Sequence, residues 1–277
     1  LILFLYSNKE YEHQAIGCIK SLKYKLNDDN KIVYYTIGFK SSYSAPNVTC
    51  IQLGFKDYPR YHFYKSELSL LTMELFPNET HFIFSDTDIL FSKKFNFNKL
   101  KHDYTYPLAS FGPHEYPFIY EIINNETIIH DETRLMNYFN VSKRSMQYTW
   151  SCIYAFNRSC KDFLEEYTSM CQNKYLSSKN LYYYPFADET AFNICLWKRN
   201  ATHNLGYAFL NTHNPESVKF VEEHNLIDIH LGKNIDDLGA DWEYVGDSSN
   251  IICYHGFKFD YDINPTLEYL IGNNYEK

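Results

Sequence analysis

Phe82-Ile83-Phe84-Ser85-Asp86-Thr87-Asp88-Ile89-Leu90-Phe91 is an apolar run interrupted at its centre by two carboxylates two residues apart. Phe82 to Phe84 reads as a buried strand, and the apolar pattern resumes at once from Ile89 to Phe91. A carboxylate in such surroundings is costly unless a positive partner accompanies it. A pair spaced i and i+2 where a strand ends can chelate a hard divalent cation, which supplies that charge. Asp86-Thr87-Asp88 is equally ordinary turn chemistry between two strands. The flanking sequence separates the two readings.

Upstream, residues 1–6 form a strand candidate, followed by a helical stretch over 10–26 with Ala15, Ile16, Ile19 and Leu22 as its apolar positions. The turn Asn27-Asp28-Asp29-Asn30 ends it, and strands are expected over 32–39 and 48–53. Residues 63–76 carry Leu68, Leu71 and Leu75 at helical spacing and stop at Pro77-Asn78. Strand, helix and strand at these intervals argue for βαβ units and a mostly parallel sheet. Ligands bind such sheets at the carboxyl ends of the strands, where Asp86 and Asp88 fall. That placement favours the metal over the bare turn.

Downstream, another strand is expected over 104–111, while 112–148 reads as irregular and polar. A strand over 152–156 leads into a helix over 158–170, with Phe163, Leu164 and Tyr167 spaced to pack. A further helix follows Asp188 with Ala191, Phe192, Ile194, Cys195 and Leu196, and the tail alternates turns with short strands over 227–231 and 251–254. No repeat, low-complexity linker or composition break divides the chain, so one domain over 1–277 is expected.

Composition narrows the function classes. Hydrophobic residues make up 45% and charged ones 22%, as in an ordinary globular protein. The 27 Tyr and 21 Phe suit a surface that stacks on sugars while offering hydroxyls, and biased base composition produces the same excess. A net charge of −8 argues against a nucleic-acid binder, so an anionic ligand needs local basic groups or a metal. No run approaches the ~18 apolar residues of a membrane span. Residues 1–5 are too short for a signal core, and without an initiator Met an excised domain is expected, with any anchor outside it.

Seven cysteines without a C-x-x-C spacing argue against structural zinc. Their apolar contexts suit free thiols, a reducing compartment and a cytoplasmic location. Six N-x-[ST] sequons, at Asn47, Asn78, Asn125, Asn140, Asn157 and Asn200, keep a Golgi-lumen alternative open.

Two further constellations carry chemistry. Asp188-Glu189 opens an apolar helix, where Asp caps and Glu complements the dipole. A catalytic or acceptor-binding role is compatible with capping, because a cap fixes the carboxylate. Tyr254-His255-Gly256-Phe257-Lys258 leaves a strand end and offers a metal ligand, a close backbone approach and a cation for phosphate. Trp150 and His114 are candidate pocket residues, with the core as the alternative place for Trp150.

Taken in order, these motifs resemble a GT-A-fold glycosyltransferase. The layout is most similar to the retaining family 8 enzymes (the glycogenin and bacterial galactosyltransferase group), with an echo of the blood-group transferase family. The matching elements are Tyr64-Lys65 on a helix before the D-x-D strand, then Ser151-Cys152-Ile153-Tyr154-Ala155-Phe156-Asn157. They continue with Asp188-Glu189-Thr190-Ala191-Phe192-Asn193, Phe209-Leu210-Asn211, and His255-Gly256 with Lys258. The chain departs from the pattern in the contiguity of His255-Gly256, in Phe259 after Lys258, and in a Lys at 65 where Arg is usual.

The resemblance implies an α/β GT-A fold, with a mostly parallel central sheet flanked by helices, a nucleotide-binding half over 1–110 and an acceptor half over 111–277. It implies metal-dependent transfer of a sugar from a nucleotide-sugar, a UDP-sugar, to a hydroxyl on a glycan or protein, with retention favoured. Asp86, Asp88 and His255 would hold Mn²⁺ or Mg²⁺. Tyr6, Ser7 and Asn8 would bracket the nucleoside, Asp86 would touch the ribose, and Lys65, Gly256 and Lys258 would meet the nucleotide and its phosphates. Asp188 and Glu189 would face donor sugar and acceptor as the catalytic pair. Two alternatives stand beside it. One is a catalytically inactive GT-A-fold carbohydrate-binding module. The other is a nucleotidyltransferase, which normally opens with a Gly-rich loop that Tyr6-Ser7-Asn8-Lys9-Glu10 lacks.

Overall fold

The computed structural model describes residues 1–22, 25–56, 63–91, 97–101, 103–111, 118–123, 126–130, 136–146, 148–172, 181–184, 187–205, 209–211 and 253–255. Its fold is α/β. Twelve strands are described: β1 (Ile2–Ser7), β2 (Lys31–Ile37), β3 (Val48–Leu53), β4 (His81–Ser85), β5 (Ile89–Phe91), β6 (Leu108–Phe111), β7 (Phe118–Ile123), β8 (Glu126–His130), β9 (Thr149–Asn157), β10 (Leu181–Tyr184), β11 (Phe209–Asn211) and β12 (Cys253–His255). The α-helices described are α1 (Glu12–Ser21), α2 (Tyr64–Leu75), α3 (Lys161–Cys171) and α4 (Ala187–Lys198).

A six-stranded, mixed and mostly parallel sheet in the order β3-β2-β1-β4-β9-β6 is flanked by helices. β1, β2 and β3 pair in parallel, and β6 runs antiparallel to β9. The burial pattern follows position in this order. β1 is an unbroken buried run, as a strand covered on both faces requires. β3, at the edge, exposes Thr49, Cys50 and Gln52. Among the described residues no helix is long and apolar enough to cross a membrane.

The chain divides into two compact units, neither of them one continuous stretch. The first is Leu1–Phe55, Ser85–Leu100 and Gly206–Lys277; the second is Lys56–Phe84 and Lys101–Leu205.

In the first unit α1 turns Ala15, Cys18 and Ile19 inward, with Glu12 in its first turn and Lys20 in its last, both signs favourable to the helix dipole. The outermost thiol described is Cys50, exposed on β3, with its S–H bonded to Tyr43 O at 3.5 Å. Burial and then the charge of Glu12 push this thiol up from its ordinary value. Cys18, Cys152, Cys160, Cys171 and Cys195 are buried. Iodoacetamide is therefore expected to label Cys50 ahead of those five in the native chain, with a rate still climbing above pH 9. Peptide mass mapping before and after unfolding reads this out, and early labelling of any of the five buried thiols would contradict the packing.

The second unit is built around Phe192 of α4. Its ring lies 5.1 Å from Tyr154 of β9, 5.2 Å from Phe163 and 5.3 Å from Tyr167 of α3. Phe82–Phe156 and Phe84–Tyr154 extend the cluster along β4 and β9. Phe192→Ala should cost about 3–5 kcal/mol in urea unfolding, because the cavity would open between α4, β9 and α3. Arg158 closes the other side: its guanidinium donates to the carbonyls of Met73 in the last turn of α2 and of Phe76 and Glu79 past its end, and lies 5.5 Å over the Phe82 ring.

The stretch expected to be irregular, 112–148, contains β7 and β8, paired antiparallel, and β10 joins β7 to make a three-stranded sheet. The signal was present in Phe118-Ile119-Tyr120 and Thr127-Ile128-Ile129, β-favouring runs on either side of Asn124-Asn125. The surrounding polar residues obscured it. The strand expected over 227–231 lies outside the described residues.

Candidate functional site

Asp86-Thr87-Asp88 forms the turn from β4 to β5, half-buried, directly after the fully buried Ser85. Helix α1 holds this turn from beneath. Ser85 Oγ donates to Asp86 O at 2.9 Å, and the Cys18 thiol lies 3.8 Å from Ser85 Oγ and 3.9 Å from Asp86 O. Thr87 Oγ1 donates to Gln14 Oε1 at 3.4 Å. Ser21 Oγ donates to Cys18 O at 2.6 Å while accepting from Phe91 N at 3.0 Å. Ser85, Asp86, Thr87 and Phe91 thus each meet a side chain of α1. Burial pushes the Cys18 thiol up to about 12; the Ser85 hydrogen bond opposes this, and the charges of Asp88 and Asp86 add to it. A neutral thiol that feels both carboxylates marks a turn of concentrated negative charge.

β5, only three residues long, pairs antiparallel with β12, and its register sets Ile89, the residue after Asp88, opposite His255. β11 runs parallel beside β12, with Asn211 opposite His255. The D-x-D turn, Phe209-Leu210-Asn211 and the strand ending at His255 therefore share one small sheet of the first unit. The His255 side chain lies outside the described residues, as do Gly256, Lys258 and His114. Among the described residues no three His, Cys, Asp or Glu side chains gather to hold a metal.

The same unit carries Tyr6, Ser7 and Asn8 at the carboxyl end of β1. Tyr6 is 6% exposed and Ser7 1%. The Ser7 hydroxyl hydrogen-bonds Tyr34 Oη at 2.6 Å, and Asn8 Oδ1 accepts Tyr11 N at 3.2 Å where α1 begins. Beyond them Lys9 pairs with Glu12 and lies 5.4 Å over the Phe39 ring. Burial raises the Glu12 carboxyl, but hydrogen bonds from Lys9 and Ser41 outweigh it and hold the group below its ordinary value.

The second unit holds Lys65, Asp188 and Glu189. Lys65 Nζ lies 3.0 Å from Asp188 Oδ2, with side chains only 4% and 2% exposed. Ser151 Oγ of β9 donates to the same Oδ2 at 3.1 Å, and Lys65 Nζ also lies 5.5 Å from the Phe84 ring centre. Glu189 follows in the first turn of α4, 6% exposed. Its charge, after burial, contributes to pushing the Tyr148 phenol well up.

Asn193, one turn further on, binds the start of β9 as a neighbouring strand would. Its Oδ1 accepts Thr149 N at 2.8 Å and Thr149 Oγ1 at 3.1 Å, and its Nδ2 donates to Thr149 O at 2.8 Å and to Glu189 O at 2.9 Å. Trp150 is 3% exposed, a core residue of β9.

Three features escaped the sequence reading: the α1 clasp on the D-x-D turn, the Lys65–Asp188 pair and the Asn193 clip. Ser21, Cys18 and Gln14 look like ordinary helix residues. Nothing in the local pattern of Lys65 or Asp188 names the other. The signal for Asn193 was a polar residue among Phe192, Ile194 and Cys195 on an apolar helix. Asn157 of the sequon set is 5% exposed and accepts Ser159 N at 2.8 Å, so it serves as a turn cap.

Chemically, the first unit offers two carboxylates at a strand end, and the second a buried pair of carboxylates at a helix start. Compared with known proteins, the chain matches no family model and no curated sequence.

Proposed function

We propose that this chain is a metal-dependent glycosyltransferase of GT-A type, moving a sugar from a UDP-sugar to a hydroxyl of a glycan or protein with retention. One observation carries the reading: the register that sets His255 opposite Ile89, next to Asp88. Motifs far apart in sequence, Asp86-Thr87-Asp88 before β5, Phe209-Leu210-Asn211 and His255, come together at one short sheet. A plain turn between strands gives no reason for that meeting.

The residues fit a hard divalent cation. Asp86 and Asp88 would supply oxygen ligands and His255 a borderline nitrogen, a set that suits Mn²⁺ or Mg²⁺ over zinc. When bound, such an ion supplies Lewis-acid stabilisation of the departing nucleotide. The α1 clasp holds the backbone and the Thr87 hydroxyl of the turn that carries the two carboxylates. Tyr6, Ser7 and Asn8 stand at the carboxyl end of β1, where the nucleoside would bind. Gly256 and Lys258 follow His255 in sequence and would meet the phosphates, Lys258 neutralising charge as it develops. One carboxylate of the acidic pair at the start of α4 would act on the donor sugar or acceptor.

Calorimetric titration of UDP in the presence and absence of Mn²⁺ tests the reading. Saturable UDP binding that requires Mn²⁺ is expected, and a panel of UDP-sugars should then reveal slow Mn²⁺-dependent hydrolysis of the true donor. An absence of Mn²⁺-dependent UDP binding would leave a carbohydrate- or partner-binding module as the better account.

A further inference from the structure

We infer that Lys65, Ser151 and Asp188 form a closed clamp that positions the first turn of α4, and that Asp188 takes no part in contact with substrate. The observations come from three elements. Lys65 is the second residue of α2, Ser151 lies in β9, and Asp188 is the second residue of α4. The ammonium and the hydroxyl both meet Asp188 Oδ2, at 3.0 and 3.1 Å. Burial is nearly complete at all three, with residue exposures of 3%, 0% and 1%. The Cys171 thiol nearby is pushed well up, first by burial and then by the Asp188 charge, while Lys65 opposes the shift, as a dry interior around both partners dictates.

A carboxylate engaged by an ammonium and a hydroxyl has its charge compensated within the protein. Glu189 lies between this clamp and two further anchors. On one side stands Asp188; on the other, Tyr148 Oη meets Thr190 Oγ1 at 3.4 Å and Asn193 holds Glu189 O. Preorganisation of this kind is what a reacting group needs from its supports. The acidic pair thus divides: Asp188 is a positioning residue and acts through the placement of Glu189. The glycosyl-transfer reading is assumed here only for the kinetic part of the test.

Hydrogen exchange tests the clamp without reference to any reaction. In Lys65→Met the amides of Ala191 and Phe192, the first to bond back into the opening turn, should exchange at least ~10-fold faster than in the wild type. The apolar triple variant K65M/S151A/D188L, which removes both charges of the clamp together, should restore protection. Unchanged exchange in Lys65→Met would overturn the inference.

Hydrolysis of UDP-galactose or UDP-glucose with Mn²⁺ gives the second readout. Lys65→Met should lower kcat at least ~10-fold with the donor KM within ~3-fold, and the triple variant should return to within ~5-fold of wild type. A folded triple variant with protected amides and turnover down more than ~100-fold would show that the clamp residues touch substrate. Should the triple variant fail to fold, Asp188→Asn decides. Faster exchange with lowered kcat supports positioning; raised KM with unchanged exchange overturns it. Failure of the wild type to bind UDP with Mn²⁺ defeats the functional reading instead, and leaves the exchange result to judge the clamp.

Discussion

Asp88→Ala is expected to weaken Mn²⁺-dependent UDP binding by at least ~100-fold, beyond the 10–100-fold that outer-shell changes cost at metal sites. Both carboxylates share one three-residue turn, so each alone provides half of the hard-oxygen set that the described residues offer there. Asp86 and Asp88 are half-buried on the turn. Asp88→Ala should also lose the rise in Tm that Mn²⁺ with UDP confers by linkage. Calorimetry and thermal melts on the same samples read both effects. UDP binding unaltered in Asp88→Ala would remove the D-x-D turn from the functional account.

Asp188→Ala is expected to destabilise the chain by about 3–5 kcal/mol, the cost of leaving one member of a buried ion pair uncompensated. Lys65 Nζ, 5.5 Å from the Phe84 ring centre and on a side chain 4% exposed, would lose the carboxylate that Asp188 places 3.0 Å away. An exposed pair such as Lys161–Glu165, with side chains 63% and 53% exposed, gives the internal control. Its removal should change stability by less than about 1 kcal/mol. Urea unfolding of the two alanine variants, Asp188→Ala and Glu165→Ala, should separate by several-fold in their effect. Equal effects would mean that Lys65 reaches solvent and that the pair is not closed.

Much of the fold was legible from residue patterns. The strands expected over 1–6, 32–39, 48–53 and 82–84 correspond to β1, β2, β3 and β4, because continuous apolar runs bounded by turn residues have few other uses. The helices around Leu68 and Phe163 were legible from their apolar spacing. β7 and β8 were not, since a short hairpin in polar surroundings lacks the long periodicity that reveals a helix or a central strand.

The candidate site divides in the same way. Asp86-Thr87-Asp88 was visible because carboxylates inside an apolar run are costly wherever they occur. The register of β5 with β12 was invisible, because no local preference tells a three-residue strand which distant segment it will pair with.

What the amino-acid order determined by itself was the set of chemical groups and the strand end on which the two aspartates stand. Only the tertiary structure decided their companions. It set His255 opposite Ile89, laid Cys18 and Ser21 behind the turn, and closed Lys65 and Ser151 onto Asp188. The reason is physical. Local sequence sets backbone geometry over a few residues, whereas the partner of a buried charge or an unpaired strand is selected by burial of the whole core.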